Sequence, residues 1–163
     1  MEIRKIDVDA LSVPEILSLL EIARGISSVQ PDWMLLKREL ARYEAWGFYD
    51  RKVLLGYALI SGSSPYLGGS VQIVELKYRW EYNQESTVAQ MLREIARTYH
   101  GRSDLLVLDI DLRRDLNRNL YQKLGFTTSV MQSPMGRDHG VLFAQMDSLL
   151  KRDLMLDISL GIC

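Results

Sequence analysis

Leu120-Tyr121-Gln122-Lys123-Leu124-Gly125-Phe126 is the stretch whose reading decides the fold. Leu116, Leu120 and Leu124 recur at i, i+4 and i+8, the spacing of one helical face. Gly125 stands where a helix C-cap takes positive φ, a conformation that costs glycine nothing because it has no Cβ. Phe126 to Met131 is β-prone, so the helix runs straight into a strand. Tyr121 sits one turn before the stop. By itself it reads either as a partly buried aromatic of an amphipathic helix or as a functional phenol at a helix end.

Upstream, Leu105 to Ile110 reads as a central strand with both faces buried. Before it, Val88, Met91, Leu92, Ile95, Ala96 and Tyr99 form the apolar face of a helix closed by His100-Gly101. The segment Gln84-Glu85-Ser86-Thr87-Val88-Ala89 opens that helix. A helix N-terminus reached from a strand presents unpaired backbone N–H groups and the positive end of the helix dipole, which suits an anion or pyrophosphate. The same residues also read as an ordinary Ser/Thr cap. The preceding strand, Val71 to Trp80, has a slip in its alternation: Val71 and Ile73 are apolar at odd positions, then Val74, Leu76, Tyr78 and Trp80 at even ones. Either a β-bulge or a strand leaving the core at its end gives that pattern. Downstream, Val141 to Met146 pairs with Phe126 to Met131 across the polar Ser133–Gly140 loop, and Leu149 to Leu160 is expected to add a C-terminal helix.

The first half begins with a short β-prone run, Ile3 to Val8. Ser12-Val13-Pro14-Glu15 is a capping box with proline in the first turn, followed by Ile16, Leu17, Leu20 and Ala23 at helical spacing and a stop at Gly25. A second helix starts at Asp32 and lines up Trp33, Leu36, Leu40 and Tyr43. Trp46–Tyr49 and Val53–Ile60 make a hairpin around Asp50-Arg51-Lys52, and a Gly/Ser/Pro-rich loop runs from Ser61 to Ser70. The order is β-α-α-β-β-β-α-β-α-β-β, a mixed sheet carrying helices.

Composition narrows the chemistry. The 163 residues are 47% apolar and 25% charged, with 20 basic against 21 acidic side chains, a formal charge of −1. That balance does not suit a chain built to coat nucleic acid or an anionic membrane. Arg113, Arg114 and Arg118 read as the solvated face of a helix and lack the aromatic partners of a single-strand binder. The one cysteine, Cys163, permits no intramolecular disulfide, and His100 and His139 read as surface or helix-end residues, so no metal is expected. The longest apolar run, Val53 to Ile60, falls far short of the ~20 residues of a membrane span. Charged Glu2, Arg4, Lys5 and Asp7 do not make a signal peptide, so a cytoplasmic chain is expected. Nucleotide-loop, dinucleotide-loop and nucleophile-elbow motifs are absent.

In its element order, and in the two segments around Thr87 and Tyr121, the chain resembles the GNAT superfamily of acyl-CoA-dependent N-acyltransferases. The resemblance runs from residue 3 to about 147 and is sharpest at Leu120–Phe126, which is very close to the family's L-Y-E-K-L-G-F signature. The family's phosphate loop, Q/R-x-x-G-x-G/A, places Gln84 at its first position and Ala89 at its last, with Thr87 where the family has glycine. Asn117 lies nearest to the asparagine that often opens the family's next helix, although counting back from Tyr121 puts Arg114 there.

The resemblance implies an α/β (α+β) fold, a mixed, mostly antiparallel splayed sheet flanked by about four helices. It makes 1–147 one domain and 148–163 an extension. It implies transfer of an acetyl group from acetyl-CoA to a primary amine, on a small molecule or a peptide, by direct attack. Acetyl-CoA would lie along Leu76 and Lys77 of the splayed strand, whose backbone groups take the pantetheine arm, with Gln84, Glu85, Ser86, Thr87, Val88, Ala89 and Asn117 toward the phosphates. Tyr121 would protonate the departing thiolate, and Glu75 would be the base, with Asp109 and Asp111 as reserves. Trp33, Tyr43, Trp46 and Tyr66 are candidate walls for the acceptor. No nucleic acid, membrane or metal enters this reading, and a homodimer is compatible with it. Thr87 favours a second reading, a GNAT-like domain that has lost acyl transfer and serves as a binding or assembly module.

Overall fold

Among the described residues, seven strands and five helices follow one another as β1 (Glu2–Lys5), α1 (Val13–Arg24), α2 (Trp33–Arg42), β2 (Glu44–Asp50), β3 (Val53–Ser61), β4 (Val71–Tyr78), α3 (Glu85–Tyr99), β5 (Leu105–Asp111), α4 (Arg118–Leu124), β6 (Thr127–Gln132), β7 (His139–Gln145) and α5 (Met146–Lys151). The structure, a computed structural model, describes residues 1–25, 29–62, 69–79, 81, 85–111, 118–132 and 139–151. The strands are hydrogen-bonded in the order β1-β2-β3-β4-β5-β7-β6. β4 runs parallel to β5, while β1–β2, β2–β3, β5–β7 and β6–β7 are antiparallel, so the sheet is mixed and mostly antiparallel, as the resemblance implies. The chain divides into two compact units, 1–61 with 74–83, and 62–73 with 84–163, so that β4 contributes its first three residues to one and the rest to the other.

In the first unit α1 begins on the capping box. Ser12 accepts from the amide of Glu15, and the Glu15 carboxylate accepts from the amide of Ser12. The helix buries Leu19 and Ile22, whereas Leu17 is 61% exposed. The expected face of Ile16, Leu17, Leu20 and Ala23 is thus wrong at Leu17 and misses the two buried residues: Leu20 and Ala23 pack against the same core as Leu19 and Ile22, while Leu17 faces out. Asp32 caps α2 by accepting from the amide of Met34 at 2.8 Å, and Leu36 and Leu40 are buried as expected. The β2–β3 hairpin turns through Arg51 at φ +57° and carries a register shift at Phe48/Tyr49 that the alternation did not reveal. Leu19, Ile22, Leu36, Leu40, Tyr49, Tyr57 and Leu59 belong to one core, with Trp33, Tyr43 and Val74 packed against it.

In the second unit β4 holds Val71–Ile73 in a parallel ladder against Leu106–Leu108 of β5. β5 is antiparallel to β7 along its whole length, and β7 to β6. The predicted face of α3 is fully enclosed: Val88, Met91, Leu92, Ile95, Ala96 and Tyr99 have no exposed surface. One boundary differs from expectation. Met146, read as the end of a strand, already opens α5, and both Met146 and Leu149 are fully buried. The amide of Met146 donates to the carbonyl of Asp104 at 2.8 Å, so the strand ladder passes into the helix without a linker. The rest of the expected 149–160 helix lies outside the described residues. As for the slip in β4, burial falls from complete at Val71–Ile73 to partial from Val74 to Arg79, as in a strand leaving a core.

Candidate active site

In the first unit the outer part of β4 carries Glu75 and Lys77, with Arg79 just beyond its end. Gly56 of β3 lets the two strands approach closely: a Cβ there would stand 2.5 Å from the carbonyl oxygen of Lys77 and 3.0 Å from Cα of Tyr78. The next residue on β3, Tyr57, is fully buried, and its hydroxyl donates to Oε1 of Glu75 at 3.1 Å. Lys77 Nζ lies 3.2 Å from the same oxygen and also donates to the carbonyl of Ala23 at 3.1 Å. Burial, and then the Glu75 charge, push the Tyr57 phenol far above its ordinary value, so Tyr57 remains a donor at any working pH. Glu75 lines a cleft of about 280 Å³ with Pro31, Asp32, Leu35, Glu39 and Tyr57 among its other walls. Trp33, Tyr43 and Trp46, expected as acceptor walls, do not line this cleft, and Tyr66 lies outside the described residues.

Leu76 and Lys77 line a second cleft, of about 250 Å³, together with Ile22–Gly25 and Tyr78. They lie past the last β4–β5 pair, at Ile73. An open wall with strand backbone along it suits an extended arm carrying amide groups, which pairs with a strand edge much as another strand would. Next to it Arg79 is fixed by its amide and Nε, which donate to the carbonyls of Leu55 and Leu54 at 2.8 Å each, and by an ion pair with Glu21 at 2.9 Å. Arg79 carried no signal in the sequence beyond one charge in an alternating strand.

In the second unit the signature segment is built as its sequence implies. The amide of Gly125 donates to the carbonyl of Gln122 at 3.1 Å and the amide of Phe126 to that of Tyr121 at 2.9 Å, with Gly125 at φ +106°. This pair of bonds is a Schellman C-cap, and the contact that completes it is between Tyr121 and Phe126, whose rings meet edge to face with centroids 6.0 Å apart. Tyr121 is 4% exposed, so its ring is held by packing.

At the start of α3 the side chains of Val88 and Ala89 are fully buried, which leaves only their backbone for a ligand, while Glu85 is exposed and Ser86 and Thr87 are half-buried. Glu85 is paired with Lys123 of α4 at 3.4 Å, which brings a cation beside the first turn of α3. Gln84 and Asn117 lie outside the described residues. Asp109 is half-buried on β5 opposite Val141, and Asp111 stands opposite His139 in the same ladder. Among the described residues no group of three or more His, Cys, Asp or Glu side chains could hold a metal ion, and no helix is long and apolar enough to cross a membrane.

No protein-family model matches the sequence, and no curated protein matches it. Solved structures do match. The chain is similar to the PaiA N-acetyltransferase from Thermoplasma acidophilum, solved with coenzyme A, with a TM-score of 0.66 and 14% identity over 88% of this chain and 98% of that one. It matches the aminoglycoside 6'-N-acetyltransferase from Enterococcus faecium with a TM-score of 0.66 and 13% identity, over 90% and 97%. The IAA acetyltransferase from Bacillus cereus gives 0.64 and 16%, over 88% and 98%. At these identities the likeness establishes the fold: this chain has the GNAT fold.

Proposed function

We propose that this chain is an N-acyltransferase that moves an acetyl group from acetyl-CoA to a primary amine by direct attack. The observation that carries the reading is Glu75, a carboxylate on the wall of a substrate-sized cleft in a fold whose solved examples include N-acetyltransferases. A lysine-like amine has a pKa of about 10.4, so at pH 7 fewer than roughly 1 in 10³ molecules is a free nucleophile. Glu75 takes the ammonium proton so that the freed lone pair bonds to the acyl carbon, and the second nitrogen proton leaves as the tetrahedral intermediate collapses, replacing the one Tyr121 gives to the thiolate. Among the described residues of the cleft wall, Asp32, Glu39 and Glu75 set three carboxylates against Lys77, a balance that suits a cationic acceptor, while Pro31, Leu35 and Leu36 suit its carbon frame.

The thioester donor supplies an activated acyl carbon and a thiolate leaving group. Leu76 and Lys77 would hold its pantetheine arm through their backbone, and Glu85–Ala89 would take its phosphates at the start of α3 beside Lys123. Tyr121 gives its hydroxyl proton to the thiolate as the carbon–sulfur bond breaks. Backbone N–H groups of β4 beyond Ile73 would polarise the thioester carbonyl.

Thr87 favours the second reading, a domain of this fold that no longer transfers acyl groups and acts as a binding or assembly module. Melting with and without acetyl-CoA separates the two. Ligand at 100 times its Kd should add about 2.7 kcal/mol, and release of free thiol with a panel of amines should follow. A melt unmoved by millimolar acetyl-CoA supports the module.

A further inference from the structure

We propose that Tyr57 is a positioning residue for Glu75: its hydroxyl holds Oε1, so that Oε2 is the oxygen offered to the acceptor's proton. The inference rests on the reading of Glu75 as the base and adds what makes that base directional. A glutamate on a strand surface turns about three side-chain bonds, and a base is effective only when it sits within hydrogen-bond reach of the proton it removes. Here one oxygen is taken. Tyr57 donates to Oε1 at 3.1 Å and the Lys77 ammonium sits 3.2 Å from it.

Among the described residues, both partners of the carboxylate lie on Oε1, while Glu75 faces the cleft. A carboxylate has about four acceptor sites, two on each oxygen, so two donors are enough to occupy Oε1 and leave Oε2 for a third. Tyr57 is suited to this task because it cannot move away. Its side chain is fully buried in the first unit's core, where an unpartnered hydroxyl would be costly, so the bond to Glu75 satisfies the phenol as well as the carboxylate. Lys77 is tethered too, by the carbonyl of Ala23 in the last turn of α1. The clamp therefore has one end in the core of the first unit and the other on a helix.

The test is a double-mutant cycle on the full chain, read as kcat and KM for an amine acceptor together with the Kd for acetyl-CoA. Tyr57→Phe keeps the ring and removes the hydroxyl. It should lower kcat about tenfold, the size of one lost charge-assisted hydrogen bond, and leave the Kd for acetyl-CoA unchanged. In a Glu75→Gln background the same substitution should cost nothing further. Full activity of Tyr57→Phe beside an impaired Glu75→Gln overturns the clamp and leaves the base standing. An equal loss from Tyr57→Phe in both backgrounds also overturns it, because Tyr57 would then act elsewhere. Full activity of Glu75→Gln overturns the base and the clamp together. Should Tyr57→Phe not melt cooperatively, Glu75→Asp takes its place. It withdraws the carboxylate from Tyr57 by one methylene and should lower kcat to a similar extent, and wild-type kcat in that variant overturns the proposal.

Discussion

The backbone of Phe126 reaches back to the carbonyl of Tyr121 across 2.9 Å, so the residue that starts toward β6 is the one that closes α4 over its tyrosine. Tyr121 is thus held twice, by its own carbonyl and by the Phe126 ring. A seven-residue helix has little stability of its own, and its cap decides where the tyrosine stands.

Gly125→Ala tests the cap. An L-residue pays roughly 1–2 kcal/mol for a left-handed backbone, and at φ +106° alanine is strained whatever space surrounds it. Denaturant melts should show a loss of about that size. Wild-type stability would mean that the turn relaxes to another conformation.

Tyr121→Phe keeps the ring packing on Phe126 and removes only the hydroxyl. Turnover should drop on the order of 10²-fold, the usual cost of losing a general acid, with thermal stability and the Kd for acetyl-CoA nearly unchanged. Unaltered kcat would leave Tyr121 with a packing role alone.

Gly56→Ala tests the close approach of β3 to β4. The obstacle to a methyl group is backbone, the Lys77 carbonyl and Tyr78 Cα, which cannot swing aside as a side chain tip would. Destabilisation of about 1–3 kcal/mol is expected, readable by chemical denaturation. A neutral substitution would show that the strands part easily.

Thr87→Gly separates two roles of one side chain. The β-branched group crowds an anion at the start of α3, while its hydroxyl can donate to one. We expect crowding to prevail, so acetyl-CoA should bind three- to tenfold tighter by titration calorimetry. The free protein should melt slightly lower, since glycine costs a helix about 1 kcal/mol. Weaker binding would make the hydroxyl a phosphate ligand, and no binding to either form would leave the segment a plain helix cap.

Local pattern carried the fold. The face of α3 repeats over most of its 15 residues, and each of its predicted positions is buried, because a long amphipathic helix leaves little choice of phase. In α1, Leu17 was misplaced and Leu19 and Ile22 missed because the helix is apolar on several sides, and periodicity alone could not say that Leu17 faces water. The Phe48/Tyr49 irregularity and the strand-to-helix step at Met146 depend on partners far along the chain. The candidate site was half legible. Glu75 was legible as a charge on β4, yet Tyr57 looked like one more residue of the apolar run Val53–Ile60. The bond between them spans 18 residues, and no local signal marks it. Asp32 was read only as the start of a helix, and Glu39 lies off the face Trp33, Leu36, Leu40 and Tyr43, although both line the cleft.

The absent side chain at Gly56 has a meaning beyond stability. It is a gauge mark: of the residues along β3, this one has no side chain to set against the Lys77 carbonyl, and sliding either strand by one residue would put Leu55 or Tyr57 there instead. A one-residue slide also turns every side chain to the opposite face, which would aim Tyr57 away from Glu75. In a mutational library selected for turnover, position 56 should therefore stay glycine as stringently as position 75 stays glutamate, although Gly56 touches no substrate.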